Sequence, residues 1–321
     1  MKKALICGVS GQDGAYLAKL LLDKGYEVHG SSRDAQAQPF ANLERLGIRG
    51  RVHVLSIAAA DFRSVLDAVT RIRPDEIYNL AGQSSVALSF DQPLQTLESI
   101  ALGTINFLEA IRFSGLPVRY YNAGSSECFG ETAGAAANED TPMRPRSPYG
   151  TAKAAACWAV ANYRDAYGLF GCSGMLFNHE SPLRPRRFVT QKIASAVNRI
   201  AGGERTKLAL GDLSIARDWG WAPEYVEAMW RMLQLDRPED LVVATGETHT
   251  LQEFVECAFA VRGLDWRAWT THDASLRRPS ELRVGRADPS RARARLDWSA
   301  RLRMKDVVRL MVEGAADDAR R

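Results

Sequence analysis

Lys3 to Cys7 (KALIC) is a short apolar run, Gly8-Val9-Ser10-Gly11-Gln12-Asp13-Gly14 follows it directly, and Ala15 to Lys24 sets Leu17, Leu20 and Leu21 at helical spacing. Strand, glycine turn and helix in that order leave few folds open. Glycines there let the backbone approach a phosphate group, and the amides at the helix start meet its charge. The spacing G-x-x-G-x-x-G, rather than G-x-G-x-x-G, is weak as a pattern alone; its place between a strand and a helix makes it a nucleotide-site candidate.

The alternation continues. Tyr26 to Gly30 ends in a turn, Arg51 to Ile57 is strand-like, Val65 to Arg71 is amphipathic, and Glu76 to Leu80 is a strand. Thr104 to Arg112, Val118 to Asn122, Ala152 to Tyr167 and Cys172 to Phe177 carry the rhythm on to about residue 178. Such alternation implies a parallel sheet covered on both faces. The fold class expected is α/β, a Rossmann-type doubly wound parallel sheet with a smaller, discontinuous C-terminal lobe. Residues 1–178 with about 216–246 form the nucleotide lobe, and about 179–215 with 247–321 form the substrate lobe. Ala133 to Ala137 and the tail from Gly314 look loose.

Forty-six per cent hydrophobic and 25% charged residues exclude a mainly disordered chain. Five cysteines without a C-x-x-C pair point to neither a disulfide framework nor a zinc site, so no metal is expected and the compartment is read as cytoplasmic. The apolar start is broken at Gly8 before it could serve as a signal core or cross a membrane. The net charge of +4 gives no general attraction to nucleic acid. Its excess is local: ten basic and three acidic residues lie between Arg277 and Lys305.

After the second strand come Ser31-Ser32-Arg33-Asp34. An acidic residue there would accept ribose hydroxyls of NAD, and an arginine would hold the 2′-phosphate of NADP; Arg33 favours NADP, with Asp34 as a helix N-cap. Tyr149 and Lys153 stand four apart at the start of a helix and so share a face, where an ammonium would pull a phenol toward neutrality and make it an acid/base at a carbinol. Ser125 and Glu127 follow the strand Val118 to Tyr121, and in extended chain both would face one side. A Tyr-Lys redox site needs the hydroxyl alone. The carboxylate adds a base for a proton on carbon, which permits elimination.

The stretches GVSGQDGAYLAKLLLDKGYEVHG, YNLAGQSSVALSF, SSECFG, PRSPYGTAK, MLFNHESPLR, RDWGWAPEYVEAMW and RRPSEL together resemble the extended short-chain dehydrogenases/reductases, and within them the GDP-mannose 4,6-dehydratase family, nearly end to end. The resemblance implies that Gly8, Ser10, Gly11, Gln12, Asp13 and Gly14 hold the cofactor pyrophosphate, Arg33 its 2′-phosphate, and Leu80, Ala81, Gly82, Gln83 and Ser84 its ribose and nicotinamide side. His179 and Arg184 match further cofactor contacts, beside Tyr149 and Lys153. Tyr149 with Lys153 would deprotonate the 4-hydroxyl, Glu127 would take the C5 proton, and Ser125 would assist loss of the C6 hydroxyl. Ser84, Ser125, Glu127, Asn178, Lys192, Arg217 and Arg278 would bind the GDP-linked sugar.

Several positions depart from the family. Ser125 stands for threonine, Arg33-Asp34 for two arginines, Ala58 for an aspartate, Gln95 for a tyrosine and Gln191-Lys192 for Arg-Lys. Pro185-Arg186-Arg187 replaces a segment that usually holds glycine and glutamate. These changes touch substrate and cofactor contacts more than the chemical centre. GDP-manno-heptose therefore stays open as an alternative substrate, as do a GDP-sugar reductase or epimerase and, last, a non-catalytic binding protein. The helices after Leu97 and Lys153 are expected to pair into a homodimer, with a homotetramer as the alternative.

Overall fold

A computed structural model describes residues 1–276 and 278–319, with side chains described through residue 315. Seven parallel strands form the central sheet: β1 (Lys3–Cys7), β2 (Glu27–Ser32), β3 (His53–Ser56), β4 (Glu76–Asn79), β5 (Arg119–Ala123), β6 (Gly171–Leu176) and β7 (Leu241–Val243). Their order is β3-β2-β1-β4-β5-β6-β7, so the order in which strands are added reverses between β1 and β4. Sheets of this kind place ligands at that reversal, outside the carboxyl ends of the strands.

Both faces are covered, so the strands other than the edge strand β3 are mostly buried. Helix α1 (Gln12–Asp23) buries Leu17, Ala18 and Leu21 with Tyr225, Met229 and Met232 on one face. On the other, α2 (Phe62–Ile72), α3 (Gly103–Ser114) and α4 (Pro148–Tyr167) bury Val65, Val69, Phe107, Ile111 and Val160 against Leu5 and Ile77. A separate core joins α5 (Val189–Ala201), α6 (Leu251–Ala260) and α7 (Met304–Ala319) around Ile193, Phe254 and Met311. α6 starts on a reciprocal cap between Thr250 and Glu253, which satisfies donors the helix cannot bond internally.

The lobe boundaries differ from the sequence reading at two places. Trp219 lies in the second core and not in the sheet lobe, because Trp219–Trp221 pairs with Asn178–Glu180. Conversely, Ala292, Leu296 and Trp298 pack into the sheet lobe; Trp298 meets Tyr225 edge-on at 5.8 Å and donates to the Glu224 carbonyl at 3.0 Å. In the two segments that look loose in sequence, Ala137 and Gly314 are held in place, and residues 320–321 lie outside the described residues. Ala137 is buried and bonded to the 286–288 backbone, and Gly314 packs against the Pro182 ring so closely that no side chain would fit.

Asp218 ties the lobes through Thr245 N, Thr245 Oγ1 and Gly246 N at 3.0, 2.9 and 2.7 Å. Burial pushes its carboxyl up from 3.8 to about 6, against these hydrogen bonds. The folded chain thus holds a proton that the unfolded chain has released. Its stabilising contribution is complete below pH 3.8 and lost as pH rises through 6, about 3 kcal/mol in all. Urea unfolding of Asp218→Asn is expected to lack this part of the decline between those pH values. Parallel stability curves for the two proteins would contradict it.

Candidate functional site

The glycine turn closes on itself at the end of β1: Gly8 N and Val9 N donate to Ser31 O, and Gly11 N to Gly8 O. Gly8 is left-handed at φ 85°, and a side-chain carbon at Gly14 would strike the Gly8 carbonyl and lie 2.7 Å from Val9 Cα. Both positions therefore require glycine. No side chain caps α1, whereas Ser147 caps α4 and Thr250 caps α6. The first amides of α1 therefore have no side-chain cap, and uncapped helix-start amides are able to meet an anion.

Gln12 and Asp13 do something the motif does not reveal. Gln12 bonds Asp13, the His179 carbonyl and Ser181, while Asp13 accepts from His179 Nε2 at 2.9 Å and the other ring nitrogen meets the Phe177 carbonyl at 2.7 Å. Although burial opposes ionisation on both sides, the pair holds Asp13 down at about 2 and His179 up. His179 also stacks on Tyr225 at 4.6 Å. Both its ring nitrogens are engaged within the protein, so the side chain is a strut that fixes the glycine turn rather than a free donor to a cofactor.

At the end of β2, Asp34 accepts from Gln36 N and Ala37 N at 2.9 and 3.1 Å. It closes a turn and is not the helix N-cap expected. Arg33 beside it is exposed. Gln83 is likewise turned inward on its own loop, bonding Ser85 and Thr96. Gly82, at φ 128°, faces Ile100, where a side chain would collide.

A cavity of about 700 Å³ opens at the strand ends and is lined by Asp13, Leu80, Ser84, Ser125, Glu127, Tyr149, Lys153, Asn178, His179, Arg184, Lys192, Arg217 and Arg278, among others. The chain thus gathers these positions from both lobes into one space. Gly8, Ser10, Gly11, Gln12, Gly14, Arg33, Ala81, Gly82 and Gln83 lie outside its lining. The extended conformation expected for Ser125 to Glu127 does not form. Ser126–Cys128 is a single 3₁₀ turn, with Ser125 Oγ accepting from Glu127 N at 3.3 Å. Both side chains still reach the cavity, because the turn swings around the Ser125 cap.

Lys153 Nζ donates to the Ala123 carbonyl at 2.7 Å and lies 5.8 Å from the Tyr149 ring centre. It does not pull the phenol down here. Burial pushes Tyr149 well above its ordinary value despite the facing Ser125 hydroxyl, and burial lowers Lys153. Glu127 is raised by burial too, opposed by the positive charges of Arg217 and Arg278.

Glu281, which motif reading passes over, lies between those two arginines, 3.2 Å from Arg217 and 3.3 Å from Arg278. Its spacing of three from Arg278 was the available signal. Ala216 is stitched on both sides to Arg283 and Gly285, and this brings the 278–285 segment beside Arg217. Glu180 is the other missed residue: it pairs Arg184 at 3.1 Å and accepts from Thr190 at 2.8 Å. Lys192 donates to the Ala209 carbonyl at 2.8 Å.

The basic stretch is no free stripe. Arg277 lies outside the described residues, and Arg278, Arg291, Arg295, Arg301 and Arg303 pair with Glu281, Glu139 and Asp140, Glu239, Glu224 and Glu247. Among the described residues no cluster could hold a metal ion.

The model of a family described as GDP-mannose 4,6 dehydratase matches residues 5–311. GDP-mannose 4,6 dehydratase 2 of Arabidopsis thaliana is 44% identical over 330 residues, covering 100% of this chain and 88% of its own length. The human GDP-mannose 4,6 dehydratase is 40% identical, with 96% of this chain and 90% of the human protein covered. The structure of the Thermus thermophilus UDP-glucose 4-epimerase in complex with NAD superposes with a TM-score of 0.85 at 26% identity, covering 98% of each chain.

Proposed function

Since the chain belongs to the GDP-mannose 4,6-dehydratase family, we propose that it works as an NADP-dependent lyase, converting GDP-mannose to GDP-4-keto-6-deoxymannose with loss of water. The observation that carries this reading is Glu127 in one cavity with Ser125, Tyr149 and Lys153. A net reductase or epimerase acting at the carbinol alone would have no use for that carboxylate.

The turn at Gly8 to Gly14, the uncapped start of α1 and exposed Arg33 suit a nicotinamide dinucleotide bearing a 2′-phosphate. When bound, NADP supplies the acceptor and later the donor of one hydride. Tyr149 takes the 4-hydroxyl proton. To do so it must act as a phenolate, its own proton released to solvent; burial opposes that ionisation, and Lys153, with one of its three donors on Ala123, has two left to stabilise the phenolate oxygen.

With C4 a ketone, the C5 proton becomes acidic and Glu127 removes it. Burial suits Glu127 to the task, since a raised pKa lets one carboxyl both take that proton and return it to the departing C6 hydroxyl. Ser125 hydrogen-bonds the leaving oxygen. Arg217 and Arg278 bind the diphosphate in exchange for Glu281, as planar guanidinium groups pair phosphate oxygens well. Asn178 and Lys192 complete the substrate wall.

A GDP-manno-heptose substrate is the second reading, favoured by the departures at Pro185 to Arg187 and at Gln191 beside an intact chemical centre. Mass spectrometry of GDP-mannose and of GDP-manno-heptose after incubation with protein and trace NADP+ decides between them. Loss of one water without net cofactor reduction is expected. No change in either sugar, with cofactor bound, would sink the dehydratase reading.

Five free cysteines suit the reducing cytoplasm, and no helix among the described residues is long and apolar enough to cross a membrane. For assembly, Leu94, Leu97, Leu102, Ile105 and Trp158 expose apolar surface on the segment leading through α3 and on α4. We assign this surface to a homodimer. Sedimentation at micromolar concentration is expected to give at least a dimer; a monomer would contradict it.

A further inference from the structure

Arg187 is one of the departures from the family, and it reaches across the mouth of the cavity. It leaves the loop that enters α5, and its Nη2 donates to Ser84 Oγ at 3.3 Å on the opposite wall, beyond the end of β4. Its guanidinium also flanks the Phe188 ring at 5.1 Å, with Arg184 over the same ring at 3.9 Å. The two cations are not equivalent. Arg184 is neutralised by Glu180 at 3.1 Å, whereas Arg187 makes no ion pair among the described residues.

Glu127 feels Arg217 and Arg278, and Tyr149 feels Arg184, which in turn repels Arg187. Ser84 follows β4 whereas Ser125 and Glu127 follow β5, and Arg217 and Arg278 meet at Glu281, so the Arg187–Ser84 contact and the two Glu281 arginines are separate parts of the cavity lining. A guanidinium has five donors, and Ser84 takes one of them.

We propose that Arg187 is a specificity residue which, braced on Ser84 and Phe188, closes over the sugar of the bound nucleotide sugar and donates to hydroxyls remote from the diphosphate. This rests on the nucleotide-sugar reading above. It assigns to Arg187 recognition of the glycosyl group, while Arg217 and Arg278 recognise what GDP and GDP-sugars have in common.

Calorimetric titration of the NADP-loaded protein with GDP and with GDP-mannose tests the assignment directly. Arg187→Ala is expected to leave the Kd for GDP within about twofold and to weaken GDP-mannose about tenfold, the effect of one charge-assisted hydrogen bond. The Michaelis constant should rise in step, with kcat and its pH profile little changed, and Arg187→Lys should recover part of the loss. Equal weakening of GDP and GDP-mannose would make Arg187 a phosphate ligand and overturn the proposal. Unchanged affinity for both would make it a solvated side chain and overturn it as well. If the wild-type protein binds GDP but gains nothing from the mannose, or binds GDP-mannose without dehydrating it, the substrate or reaction reading fails, a result separate from the variant's GDP to GDP-mannose ratio.

Discussion

Glu127→Gln is expected to stop turnover after the first half-reaction. The amide matches the carboxylate in shape but can neither take the C5 proton nor return it to the C6 oxygen. Tyr149, Lys153 and the cofactor turn remain intact, so C4 is still oxidised and reduced cofactor accumulates to about one equivalent per site. Steady-state kcat should fall by on the order of 10² to 10⁴, the usual share of a positioned acid/base. The pH profile adds a second signature. Because burial raises Glu127 above an ordinary glutamate, wild-type activity should drop with falling pH at a point above 4.5, as the base becomes protonated. The variant should lose that limb. Unimpaired turnover, or loss of activity with no reduced cofactor formed, would place the base elsewhere.

Tyr149→Phe is expected to fail one step earlier. The ring still packs in the cavity wall, and Ser147 still caps α4 through Gly150 N at 3.0 Å, so the fold should persist. What is lost is the only phenol lining the cavity among the described residues. Activity should fall by on the order of 10² to 10⁴, with neither product nor reduced cofactor appearing. The contrast with Glu127→Gln separates oxidation at C4 from proton removal at C5. Reduced cofactor formed at the wild-type rate would show that another group takes the 4-hydroxyl proton.

What was legible in the sequence is what is local. The strand, turn and helix from Lys3 to Asp23 and the Tyr149 to Lys153 spacing each depend on a few neighbouring residues, and periodicity reveals them. The Ser125 to Glu127 segment misled because its conformation is set by a cap, not by strand continuation. Long-range ties were hidden altogether. Nothing in the glycine turn announces that Asp13 will meet His179, 166 residues away, or that a stacked Tyr225 will support that histidine.

The same limit explains the lobe boundary. Residues 290–300 are an Arg-rich stretch in sequence, yet Leu296 and Trp298 are buried in the core of the sheet lobe. Arg291 and Arg295 look like part of a charged stripe until Glu139, Asp140 and Glu239 are seen to answer them from distant elements. For Lys153, spacing located the residue but not its state. A lysine four residues from a tyrosine reads as its activator, whereas in the folded protein its nearest acceptor is a main-chain carbonyl and burial dominates the phenol.

The most direct test of internal hydride transfer is to follow a label through one turnover. GDP-mannose carrying deuterium at C4 should give a product with that deuterium in the C6 methyl group, detected by nuclear magnetic resonance and mass spectrometry, even with excess unlabelled NADP+ present. A product with no deuterium at C6, the label having passed instead to free cofactor or to water, would contradict transfer within a single closed site.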